Sequence, residues 1–196
     1  MRTTLNTEDL RPGTTYRLLT ASIVPRPIAW LSTVSTSGIR NLAPYSFFTV
    51  ASSVPPIISV TSLGHKDSYR NIIESREFVV NIGSTDLIPQ INQSSAPYSA
   101  DIDEFEMVGL TPEASATVGA PRVKEAKVAL ECSLFDTVEV GNGSLILGRV
   151  QAFSLDEAVY AEDGLPEVEL LQPPSRLGRD EWGLTSPTIS QQRPEL

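Results

Sequence analysis

Residues 128–153 read Val-Ala-Leu-Glu-Cys-Ser-Leu-Phe-Asp-Thr-Val-Glu-Val-Gly-Asn-Gly-Ser-Leu-Ile-Leu-Gly-Arg-Val-Gln-Ala-Phe, and this stretch decides the fold. Val128, Leu130, Cys132, Leu134, Val138 and Val140 fall on one parity, broken only by Asp136. The opposite parity carries Glu131, Ser133, Thr137 and Glu139, along with Ala129 and Phe135. A period of two over so many residues is that of a strand with one face toward a core. Gly141-Asn142-Gly143 turns the chain and Leu145 to Phe153 returns, so the segment predicts a long hairpin.

The same grammar holds upstream. Ile28 to Val34 is apolar and β-branched and ends in Ser35-Thr36-Ser37-Gly38, a hairpin signal, so Arg40 to Tyr45 returns antiparallel. Phe47 to Val50 follows, with both Phe residues expected in the core. Pro55-Pro56 then opens the run Ile57 to Thr61, and Phe78 to Ile82 is a further strand. Helical signals are few. Thr14-Thr15 caps a short helix through Leu19. Asp67 or Ser68 caps another within 65–76, where Tyr69, Ile72 and Ile73 have helical spacing. A short helix over 86–92 is weakened by Pro89, and 93–122 reads as loop, with Pro97, Pro112 and Pro121. Residues 156–169 are acidic and mixed, and 172–178 form a structured loop.

No internal repeat and no mid-chain linker interrupts this pattern. It predicts one domain over residues 1–196, with its core at about 16–182, an N-terminal arm over 1–13 and a mobile tail over 185–196. The fold class is mainly β: about six antiparallel strands with a few short helices, in a closed or partly closed barrel.

Composition narrows the function. The 15 Pro and 12 Gly are scattered between apolar runs, as turn punctuation and not as a disordered tract. A net charge of −9 with no run of Lys or Arg argues against nucleic acid and against an anionic membrane. The apolar runs are far below the roughly 18 residues of a membrane span. Residues 1–20 lack the apolar run of a secretory signal, and the single Cys132 allows no internal disulfide, so a cytoplasmic location is expected. Cys132 lies on the apolar parity and reads as core. His65, the single His, has no partner at metal-ligand spacing and reads as a loop residue, with a supporting role beside the segment after it left open.

Four segments stand in a telling order. They are Val-Pro-Arg-Pro-Ile-Ala-Trp-Leu-Ser-Thr at 24–33, Asn-Leu-Ala-Pro-Tyr-Ser-Phe-Phe at 41–48, Lys-Asp-Ser-Tyr-Arg-Asn-Ile at 66–72, and Ser-Arg-Leu-Gly at 175–178. In order and spacing they resemble the FMN-binding split-barrel family, in its flavin reductase-like branch, from about Tyr16 to Trp182. Ser68 stands where that family often has Thr. Arg179-Asp180-Glu181-Trp182 stands where it often has a second Gly and then an aromatic. The resemblance implies a Greek-key FMN-binding split β-barrel, a homodimer with the flavin at the subunit interface, and FMN as cofactor. It also implies NADH or NADPH as cosubstrate, with hydride passing through the flavin N5 to a flavin or small acceptor, and a possible partner oxygenase. The alternatives are a non-catalytic FMN-binding or storage module, and a reductase of ferric iron or a small organic substrate. No G-x-G-x-x-G motif is present to choose the nucleotide.

Against that background the residues sort as follows. Asn41, Leu42, Ala43, Pro44, Tyr45 and Ser46 offer approachable backbone, small side chains and polar groups for a flavin edge. Lys66 and Ser68 are expected to hold a phosphate at a helix start, with Asp67 capping. Arg26, set between Pro25 and Pro27, either reaches the flavin or is a surface Arg on a rigid turn. Ser32 and Thr33 either line the pocket or only pair strands. Arg176 either approaches the cofactor or forms a structural salt bridge. No side chain is assigned a catalytic acid or base role, and no metal is expected.

Overall fold

The computed structural model describes residues 1–194. In chain order the elements are α1 (Pro12–Ser22), β1 (Arg26–Pro27), β2 (Ala29–Val34), β3 (Arg40–Tyr45), β4 (Phe48–Ser53), β5 (Pro56–Leu63), α2 (Asp67–Ser75) and β6 (Glu77–Ile82). There follow α3 (Ile88–Gln93), α4 (Glu104–Val108), β7 (Pro112–Glu113), β8 (Arg122–Val123), β9 (Val128–Val140), β10 (Gly143–Leu155), α5 (Val168–Leu171), β11 (Ser175–Arg176) and β12 (Trp182–Gly183).

Seven strands form one antiparallel sheet in the order β3-β2-β6-β9-β10-β5-β4. Its two edges, β3 and β4, are consecutive in the chain and joined only by Ser46 and Phe47. The sheet must therefore curl on itself, and the Thr61 N–H reaches the Phe47 carbonyl at 2.8 Å near this seam. The result is a mainly β split barrel with a few short helices. The sheet has one strand more than the sequence suggested.

The long hairpin is its spine, with β9 pairing β10 from Val128↔Leu155 to Val140↔Gly143. Cys132 and Leu134 point into the barrel with Ala29, Leu31, Phe78, Val80, Ile146 and Val150. Gly148 is obligatory, because a Cβ there would collide with the Phe78 ring. The parity fails at the tip, where Val138 and Val140 are exposed. It also fails at Glu131, which is buried and not solvated. The Glu131 carboxylate accepts from the N–H groups of Ala116 (2.9 Å) and Thr117 (2.7 Å), and so pins a covering loop.

β2 is buried on both faces. Ala29 and Leu31 enter the barrel, while Ile28 and Trp30 enter a second cluster with Leu42, Ile91, Phe105 and Val108 beneath α3 and α4. This outer layer is where sequence and structure part. α4 lies inside the segment read as loop; Asp103 caps it by accepting from the Phe105 N–H at 3.0 Å, and Gly109 ends it at φ 69°. Pro89 sits in the first turn of α3, where a missing N–H costs nothing. Pro12 likewise starts α1, two residues before the expected cap, and a 3-10 turn over Thr7–Asp9 interrupts the expected arm. Phe48 packs against the barrel core, whereas Phe47 lines an outer groove instead of the core. Residues 184–194 form no helix or strand, and residues 195 and 196 of the expected tail lie outside the described residues.

Candidate cofactor cleft

β3 is an edge strand, which is why it tolerates Pro44. Its outer side opens on a cleft of about 320 Å³ between β3, the start of α2 and the loop after α3. Asn41, Ala43, Pro44 and Tyr45 form one wall, Lys66, Asp67 and Ser68 the end, and residues 94–98 the other wall.

A buried polar network underlies the cleft. The Asn41 side-chain amide donates to Glu104 Oε1 at 2.7 Å, and the Leu42 N–H donates to Glu104 Oε2 at 3.2 Å. Asn41 Oδ1 accepts from the Ser68 hydroxyl at 2.6 Å and, more weakly, from Thr33 Oγ1 at 3.4 Å. Thr33 in turn accepts from the Asn71 amide at 3.0 Å. Each side chain in this set is buried, so each bond fixes a rotamer and an amide orientation. Burial pushes the Glu104 carboxyl above its ordinary range, against the opposing bonds from Leu42 and Asn41. Burial likewise raises the Tyr45 phenol, against smaller opposing effects of the neighbouring Ser68 and Ser62 hydroxyls. Lys66 Nζ stands 6.0 Å from the centroid of the Tyr45 ring. Lys66 is itself the N-cap of α2, and no side chain caps that helix. Its first-turn N–H groups are thus not closed off by a side chain.

The structure brings Asn41, Ala43, Pro44, Tyr45, Lys66, Asp67 and Ser68 together on the cleft. Asp67 does not cap as expected; it pairs with Arg70 one turn on. The Leu42 side chain is buried in the outer cluster, so only its backbone faces this region. Thr33 lies beneath the cleft as a network member. Ser32 is turned away and donates to the Pro121 carbonyl. Arg26 is neither free nor on the surface. It spends four of its five donors on Ser46 Oγ and the carbonyls of Thr20, Ile23 and Leu177, tying α1 to the C-terminal segment. Pro27 is exposed and pairs with Ser175. Ser46 and Arg176 line a neighbouring pocket that shares Pro44, Tyr45 and Ser95 with the cleft. Among the described residues Arg176 forms no salt bridge; its guanidinium lies over Trp182 with 4.8 Å to the ring centroid. His65 stacks on Tyr69, with ring centroids 4.4 Å apart. Cys132 lies in the barrel core, its thiol pushed up to about 12 by burial. Glu104 is the residue that sequence reasoning missed, although Asp103 and Gly109 at helix-capping distance marked its helix.

An antiparallel barrel split at one seam, with a polar-based cleft along its edge strand, defines the class as split-barrel proteins. The profile of the Flavin reductase like domain matches residues 21–169, and the chain belongs to that family. The uncharacterized protein YwrF of Bacillus subtilis (strain 168) is 39% identical over 186 residues, covering 89% of this chain and 91% of its own. The crystal structure of nitrilotriacetate monooxygenase component B from Bacillus cereus superposes with a TM-score of 0.93 at 34% identity, over 97% of this chain and 99% of that one. Pseudomonas fluorescens 2-nitrobenzoate 2-nitroreductase NbaA gives a TM-score of 0.91 at 30% identity, over 98% and 96%.

Proposed function

We propose that this protein is an FMN-binding flavoprotein that oxidises NADH or NADPH and passes the electrons to a flavin or small acceptor. The observation that carries this is the end of the cleft. There the Lys66 cation, with no carboxylate within salt-bridge distance among the described residues, stands beside the uncapped start of α2. That donor set suits a phosphate. Along the wall, Ala43 and Pro44 present small apolar surface, which suits the face of a flat ring. Bound FMN would supply the hydride-accepting centre.

The chain's own residues bind, orient and exclude water. Lys66 holds the phosphate. The Glu104–Asn41–Ser68 network keeps the β3 edge in one geometry, so that positioning costs no reorganisation. Family membership and the named redox relatives support oxidoreductase activity, and the monooxygenase component among them makes a partner oxygenase a fitting acceptor.

We read the protein as a homodimer with the cleft at its interface. A mostly apolar groove of about 420 Å³ between α1 and β4, lined by Leu19, Ile23, Phe47 and Phe48, supports this, as do exposed Val50 and Val54 nearby. The test is an absorption spectrum of purified protein titrated with FMN, then anaerobic NADH and NADPH, with sedimentation alongside. Blue absorption, bleaching by a nucleotide and a dimer mass are expected. A colourless protein that ignores high-micromolar FMN sinks the reading.

A further inference from the structure

β1 and β11 pair so that Arg26 faces Arg176 across the ladder. Two guanidiniums thus sit on adjacent strands in a chain of net charge −9. Neither has a carboxylate partner among the described residues, and the two lie side by side. Burial lowers the Arg26 pKa, and Arg176 lowers it further against an opposing contribution from Tyr16. Such a corner lacks an anion.

The donors left over point to where that anion belongs. Arg176 is half-buried and gives one N–H to the Arg179 carbonyl at 3.0 Å, leaving the rest of its fork unspent. Trp182 covers one face of the guanidinium and fixes its plane. Ser46 accepts from Arg26 Nε at 3.3 Å and donates to no group among the described residues, so its hydroxyl hydrogen is available and polarised by the buried cation behind it. Both residues line a pocket of about 260 Å³ whose part-exposed apolar lining includes Pro44 and Trp182, with Tyr16 also on its wall. That pocket adjoins the cofactor cleft at Pro44 and Tyr45.

We propose that this pocket is the acceptor subsite and that it selects a planar carboxylate carried on an apolar ring. The Arg176 fork takes the carboxylate in its plane, Ser46 donates to the same group, and the ring lies against the exposed parts of Pro44 and Trp182. Inorganic phosphate or a nucleotide pyrophosphate would satisfy the donors and leave that apolar lining without a partner. The assignment rests on the flavin reading above, because the subsite has meaning only beside a bound ring.

The test uses the full chain loaded with FMN and titrated with benzoate, benzamide and inorganic phosphate, following flavin absorbance and tryptophan emission. Benzoate should saturate, and benzamide, which keeps the shape without the charge, should bind about tenfold more weakly or worse. Arg176→Gln should cost benzoate about tenfold and abolish its advantage over benzamide. Ser46→Ala should cost about fivefold, and it serves as the reading if Arg176→Gln fails to fold. Equal binding of benzoate and benzamide overturns the proposal. So does displacement of benzoate by equimolar phosphate, benzoate binding indifferent to both substitutions, or loss of FMN from Arg176→Gln. A protein that holds FMN but does not respond to benzoate loses the subsite alone. One whose tryptophan emission answers benzoate while FMN never binds loses the flavin reading, and the acceptor role falls with it while the carboxylate pocket stands.

Discussion

The two ends of the cleft region are built on opposite principles. In the network beneath Asn41 every polar side chain is buried and bonded to another group: Glu104 to the Asn41 amide and the Leu42 N–H, Ser68 to Asn41, Asn71 to Thr33. At the Arg176 end one guanidinium, that of Arg176, is half-buried and gives a single N–H to protein, while buried Arg26 beside it is nearly spent. A satisfied network holds shape and resists substitution, while an unsatisfied one awaits a ligand. The contrast separates enclosed positioning residues from Lys66, Ser46 and Arg176, whose polar groups are not consumed and which the proposed reading gives to ligand.

The hardest blow to the closed end is Glu104→Ala. It strands the Asn41 amide and the Leu42 N–H in a buried site, which should cost about 2–4 kcal/mol of stability in denaturant unfolding. FMN and riboflavin affinity should fall together, since the wall and not the phosphate is disturbed. pH sharpens the point. The Glu104 pKa is raised by burial, so its contribution is fully present below the ordinary carboxyl value of 4.5 and is lost as pH rises through the raised value. The stability gap between wild type and Glu104→Gln should therefore narrow with rising pH. Glu131 runs the other way. Burial pushes it up, but the bonds from Ala116 and Thr117 and the nearby Arg122 outweigh this and hold it low. Its contribution is present above 4.5 and fades as pH falls through the depressed value, so Glu131→Gln should flatten the acid limb of the unfolding profile. Parallel pH profiles for the two variants would break this account.

At the start of α2, Lys66→Ala removes the charge-assisted contact proposed for the phosphate. FMN should weaken roughly tenfold or more, while riboflavin, which lacks the phosphate, holds its affinity. Equal weakening of both would move the phosphate elsewhere.

Strands were more legible than the site. Period-two alternation in β9 and proline-bounded runs in β5 are local signals, and they survive because the barrel wall they build has one interior. β2 hid its second role, because a strand buried on both faces carries no alternation to read. Arg26, Ser32 and Glu131 share a feature that spacing does not carry, although Ser32 keeps the strand pairing the sequence allows. Whether a polar side chain is spent depends on partners far along the chain, at Leu177, Pro121 and Ala116, and spacing says nothing about those. Glu104 is the reverse case: its helix was marked by Asp103 and Gly109, and the prolines around it drew the reading toward loop.

The smallest effect separates the two principles most finely. The sequence suggested that Ser68 gives its hydroxyl to the phosphate, but the structure gives that hydrogen to Asn41 Oδ1 at 2.6 Å. Thr33 Oγ1 waits at 3.4 Å from the same oxygen. If Ser68 acts on Asn41, Ser68→Ala should lose about 0.5–1.5 kcal/mol of stability at most, since the Thr33 hydroxyl can close on the vacated acceptor. Its effect on FMN and riboflavin should then be small and equal. If Ser68 turns to the phosphate when FMN binds, Thr33 takes its place on Asn41 and only FMN should weaken in the variant. The double substitution Ser68→Ala with Thr33→Val decides between them. A relay through Asn41 makes the pair cost more than the two single losses added, because no hydroxyl then remains for Oδ1. Simple additivity, with a loss confined to FMN, would place Ser68 among the ligand-facing residues and leave Asn41 to be held by Glu104 alone.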